Sequence, residues 1–139
     1  MIYEASILVE HGKTEADATF TDVKVTNGVI HEISVYFPLG CCGLVYVQIL
    51  EGGHQFVPST SGQFLRGDGM LIDSKEFYEI TDAPRYITIK VWNTDDTYDH
   101  TIEVLIKQLP KSVLLPAGAY EGVMSALKSL VWKGVLLDT

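Results

Sequence analysis

The chain is poor in basic residues: 10 Lys and Arg stand against 18 Asp and Glu in 139 residues, a formal net charge of −8. Binding a phosphate backbone requires cations that neutralise it, so a body of this sign argues against nucleic-acid recognition through a basic stripe. Cysteine is almost missing as well. The two present, Cys41 and Cys42, are neighbours in "PLGCCGL", where a disulfide would have to close a small strained ring. With no C-x-x-C spacing and no partner ligands nearby, they read as two small apolar residues at the start of a strand rather than as a redox or metal pair. No run approaches the ~20 apolar residues that would span a bilayer. The opening "MIYEASILVEHGK" carries Glu4 and Glu10 and no basic leader, so no secretory signal is expected and the expected compartment is a reducing cytoplasm.

The motifs of common catalytic sites are missing too. His11, His31, His54 and His100 show no H-x-H or H-x-x-x-H spacing, which a histidine-built metal site needs. Ser59 and Ser61 sit in no G-x-S-x-G elbow, and the glycines of "EGGH" open no helix, so neither a hydrolase nor a phosphate loop is indicated. The sequence thus implies a non-enzyme without a cofactor.

What is present is β-sheet grammar. Hydrophobic residues make up 47% of the chain and charged residues 20%, ample for one packed core and too short a chain for two. Period-2 alternation predicts strands over 2–9, 19–25, 29–37, 44–50, 54–57, 70–73, 76–80, 86–92 and 101–108, with a break near Asp73 and Ser74. In "VIHEISVYF" it puts Val29, His31, Ile33, Val35 and Phe37 on the core face. Short strands separated by Gly, Pro, Asn and Asp predict an all-β fold, an antiparallel β-sandwich of jelly-roll-like type, over residues 1–110.

After Pro110 the pattern changes. Residues 111–116 read as a linker bracketed by prolines. From Ala117 to Thr139, Tyr120, Val123, Met124, Leu127, Leu130 and Val131 recur at helical spacing, predicting a C-terminal amphipathic α-helix. Trp132 and Leu136 lie off that stripe. A helix apolar around so much of its circumference fits an arm docked on a neighbour, so Tyr120, Val123, Met124, Leu127, Leu130, Val131 and Trp132 are the expected interface. Only Lys128 and Lys133 could meet anionic lipid, which is weak support for a membrane anchor.

One compact run invites chemistry. In "NTDDTYDH", Asp95, Asp96 and Asp99 beside His100 could ligate calcium, although the spacing is not that of an EF-hand. The same residue types cap turns. With Ile87, Ile89 and Val91 leading in and Ile102, Val104 and Ile106 leading out, the run is expected to be the tip of a β-hairpin. The "RGD" at Arg66–Asp68 is expected to be a tight turn.

The succession "GVIHEISVYFPLGCCGLVYVQILEGGHQFVP" and "ITIKVWNTDDTYDHTIEVLIKQLP" resembles the small β-sandwich and jelly-roll structural proteins of phage and virus particles. That resemblance implies a capsid or decoration subunit, located in the virion and assembled in the host cytoplasm. Its partners would be itself or other capsid proteins, with no membrane span, and its terminal arm would link homo-oligomers. The alternative is a recognition module binding carbohydrate or calcium through its end loops.

Overall fold

The computed structural model describes residues 1–114. Eight strands form: β1 (Ile2–Val9), β2 (Thr19–Val25), β3 (Gly28–Phe37), β4 (Val45–Glu51), β5 (His54–Val57), β6 (Met70–Ile80), β7 (Arg85–Asn93) and β8 (His100–Leu109), followed by one helical turn, α1 (Lys111–Leu114). They divide into two antiparallel sheets of four, sheet A in the order β1-β8-β3-β6 and sheet B in the order β2-β7-β4-β5. The expected C-terminal helix over 117–139 lies outside the described residues, and the turn at Lys111–Leu114 falls in the expected linker.

The order has an internal logic. Beyond their other neighbours, β1 pairs with β8, β2 with β7, β3 with β6 and β4 with β5. The first half of the chain is matched in reverse by the second, as in one long hairpin whose successive rungs alternate between two layers. The chain therefore changes sheet at every strand connection but one. The exception is the β4–β5 hairpin, where Glu51 pairs with His54 and both intervening glycines have positive φ, 57° at Gly52 and 82° at Gly53. That is the twist a two-residue hairpin turn demands, and glycine adopts it without Cβ strain.

The space between the sheets is filled by β-branched and aromatic side chains. Ile30, Ile33, Val35 and Phe37 of β3 meet Val45, Val47 and Ile49 of β4, Ile87, Ile89 and Val91 of β7, and Ile102, Val104 and Ile106 of β8. All of these are 0–1% exposed. At the sandwich edge Phe56 of β5 stacks on Tyr78 of β6, ring centroids 4.5 Å apart.

Two strands depart from simple alternation. The register of β3 slips between Ile30 and Glu32 against both β6 and β8. His31 is an extra residue relative to β8, a β-bulge that reverses which face the following side chains take. The β3 residues in the core cluster are therefore Ile30, Ile33, Val35 and Phe37; Val29 is fully buried but outside that cluster, and His31 is only half-buried. Against β6 the slip sets His31 opposite two residues, Glu76 and Phe77, a bulge in β6, while Asp73 and Ser74 pair regularly with Ser34 and Ile33 inside one 11-residue strand. The apparent break in its sequence is only the polar content of an edge strand.

Candidate functional site

The acidic run is built as an arch, not a hairpin. Its lead-in strand β7 lies in sheet B and its lead-out strand β8 in sheet A, and the two do not pair. Both flanks alternate because each points its apolar residues at the same core from opposite sides. Asn93, fully buried, holds the crossing. Its Nδ2 donates to the carbonyls of Val9 (3.1 Å) and Tyr98 (2.9 Å), and its Oδ1 accepts from the amide of Asp95 (2.9 Å).

The three aspartates face different partners. Asp95 Oδ1 accepts from the amides of Thr97 (2.9 Å) and Tyr98 (3.2 Å), and its Oδ2 lies 2.9 Å from Nε2 of His100. Both side chains of that pair are nearly buried, 10% and 9% exposed. The His100 contact, helped by the two amides, holds the Asp95 carboxyl below its ordinary pKa of 3.8. Asp99 accepts from the backbone amide and ring Nδ1 of His11; the ring contact and then the amide lower its pKa as well. Among the described residues Asp96 accepts only from the Thr97 hydroxyl. Among the described residues no three His, Cys, Asp or Glu side chains converge as a metal site would require. The structure thus ties Asp95 and Asp99 to two histidines and does not bring them together with Asp96. His11, which joins this network from the β1–β2 connection, was invisible in the sequence because its partner lies 88 positions away.

The other motifs resolve into local architecture. Arg66 Nε donates to the Gly43 carbonyl (2.7 Å) and its guanidinium lies 4.6 Å from the Tyr46 ring centre. Asp68 accepts from the Gly40 amide at 2.7 Å. A Cβ on Gly67 would fall 2.8 Å from Met70 and 3.1 Å from Phe37. "RGD" is therefore a brace between two loops. Cys41 is buried, and that burial raises its thiol pKa to about 11, whereas Cys42 is exposed with φ 53°.

Sequence reading missed an aromatic cluster on the outer face of sheet B. Tyr46 and Trp92 are cross-strand partners whose rings stack at 5.1 Å, and Phe64 meets both edge-on. Phe64 is delivered by the β5–β6 connection, where Leu65 bridges to Val47. Gln48 and Gln55 hold that connection through the carbonyls of Pro58, Thr60 and Gln63. Trp92, only 5% exposed, is roofed by its neighbours, so the cluster works as a second small core. The signal was available: Tyr46 and Trp92 both fall on the outward phase of their strands.

Exposed apolar side chains gather on the edge strands. Ile2 and Leu8 of β1 are 63% and 60% exposed, and Leu71 and Phe77 of β6 are 52% and 54% exposed. Both strands border sheet A. The expected interface residues Tyr120, Val123, Met124, Leu127, Leu130, Val131 and Trp132 lie outside the described residues.

Residues 1–114 thus form an all-β sandwich of two four-stranded antiparallel sheets. No protein-family model matches it, and neither does any curated protein. Among solved structures it is similar to FlhE, at 9% identity over 76% of this chain and 94% of that one, with a TM-score of 0.42. It is also similar to PirA, at 14% identity over 76% of this chain and 94% of that one, with a TM-score of 0.32. Likeness at this level carries no conclusion about activity.

Proposed function

We propose that the chain is a non-enzymatic structural subunit of a virion or similar particle, a capsid or decoration protein that binds copies of itself or other particle proteins. One observation carries the reading: the order β1-β8-β3-β6 over β2-β7-β4-β5. It is the order of the eight-stranded jelly roll, the architecture of viral capsid domains, lectins and cupins. The interior and the end loops favour the first of these three. A cupin works from groups lining the space between its sheets, and here that space is occupied by Ile33, Val35, Ile49, Ile89 and Val104. A calcium-dependent lectin needs free carboxylates in its end loops, and Asp95 and Asp99 are bonded to His100 and His11. With the interior packed and Asp95 and Asp99 engaged, this reading assigns the work to the outer surface. In this reading residues 117–139 form the arm that docks on a neighbour.

Light scattering on the full chain and on a chain lacking residues 117–139 tests it. The full chain should give a discrete assembly several-fold heavier than the 15.4 kDa protomer. The shortened chain should keep its β-type circular dichroism and fall to a species no larger than a dimer. A full chain that stays monomeric at ~1 mM would overturn the reading.

A further inference from the structure

Strand β6 is an 11-residue strand with one strand neighbour, β3, among the described residues. A row of backbone donors and acceptors along such an edge is a template for another strand, regular here from Met70 to Lys75 and bulged at Glu76 and Phe77 opposite His31. Its outward-facing side chains run Leu71, Asp73, Lys75, Phe77 and Glu79, all exposed. The side chain of Lys75 is 78% exposed even though its Nζ lies 2.6 Å from Glu32.

This row is complementary to itself in one register. With two copies of β6 antiparallel about a two-fold axis at Ser74, Leu71 faces Phe77 of the second copy and Asp73 faces its Lys75, each pair occurring twice. Directly opposed residues in an antiparallel pair have Cβ atoms about 4.5–5.5 Å apart, close enough for apolar and opposite-charge pairs to stabilise the contact. Moving the axis one residue to Lys75 puts Lys75 against Lys75, and moving it to Asp73 puts Asp73 against Asp73. Like charges directly opposed are destabilising, so both registers are disfavoured. The lysine that discourages pairing with an arbitrary strand is matched by Asp73 of an identical one, so the edge selects its partner. The other border of sheet A, β1, carries no basic residue and offers no such ion pair.

We infer that β6 binds the β6 of a second copy, antiparallel about Ser74, so that the two four-stranded A sheets continue into one. The inference rests on the assembly reading and names its first contact. A contact limited to one strand edge sits at the low end of specific interfaces, so association is expected at roughly 10–500 µM protein.

The test uses the full chain in sedimentation equilibrium. Leu71→Glu and Phe77→Lys, both at exposed positions, should each weaken the two-fold association by roughly 10–100-fold. A 1:1 mixture of the two variants should restore it. In the mixed pair the carboxylate introduced on one chain faces the ammonium introduced on the other, and Phe77 of the first chain still meets Leu71 of the second. Leu8→Glu on β1 should leave the association unchanged. Register is read separately in a Cys42→Gly background. A mixture of Leu71→Cys and Phe77→Cys chains should oxidise to a covalent dimer, and neither chain alone should do so. A wild-type chain that associates while both single variants associate equally well, or that loses association with Leu8→Glu instead, overturns the β6 contact and leaves the assembly reading standing. A wild-type chain that never associates overturns both.

Discussion

Replacing Asn93 with alanine should be among the most damaging single changes to the β body. Asn93 is fully buried and makes three hydrogen bonds: two from its amide nitrogen to the carbonyls of Val9 and Tyr98, and one from the Asp95 amide to its oxygen. Removing it orphans a buried N–H, which costs about 1–3 kcal/mol, and takes one bond from each of two carbonyls at about 0.5–1 kcal/mol each. The sum is about 2–5 kcal/mol, a large fraction of the ~5–15 kcal/mol that holds a typical domain. At roughly 3–5 °C per kcal/mol for a chain of this size, the melting temperature should fall by about 6–25 °C. Urea unfolding monitored by circular dichroism measures the free energy directly, and its m value should stay unchanged because the surface exposed on unfolding is the same. Asn93→Asp sharpens the argument. At neutral pH its carboxylate would face the Val9 and Tyr98 carbonyls with no proton to donate, so it should be worse than alanine and should recover partly on acidification. A loss below about 1 kcal/mol for Asn93→Ala, or a milder effect of aspartate than of alanine at pH 7, would refute the view that Asn93 pins the arch.

The arch also sets an acid limit. Asp95 and Asp99 have pKa values held below 3.8 by His100 and His11; a carboxyl whose folded pKa is depressed adds stability above its unfolded pKa, and that stability disappears as pH falls through the folded value. Stability should therefore drop below about pH 4, and Asp95→Asn with Asp99→Asn should flatten that limb in melting curves between pH 2 and pH 5; an unchanged limb would place the acid sensitivity elsewhere. The cysteines should titrate as two classes with a thiol reagent at pH 8. Exposed Cys42 should react at once, and buried Cys41, its pKa raised to about 11, only on unfolding; two equally fast thiols in the folded protein would contradict the packing at the β3–β4 crossing.

The sequence alone determined where strands form. Alternation across Ile87, Ile89 and Val91, or across Ile102, Val104 and Ile106, is a local consequence of one face meeting the core. It located nearly every strand to within a residue or two. It also determined that Asn93–His100 is a connection, since Asn, Thr and Asp satisfy backbone groups as a chain turns. Tertiary structure decided everything that depends on partners distant in sequence. A period of two says which face of a strand is buried and nothing about which sheet it joins. Two strands flanking a short loop therefore read the same whether they pair as a hairpin or cross between layers as β7 and β8 do. The slip at His31 escaped for a related reason. A bulge is defined by the count of residues on the neighbouring strands, and β8 pairs with β3 across about seventy residues of chain. The pairing of Asp99 with His11 and the burial of Asn93 under Val9 likewise exist only once β1 lies against β8. Only then did the acidic run prove to be a braced crossing, and the exposed apolar rows of β1 and β6 become the two borders of one sheet.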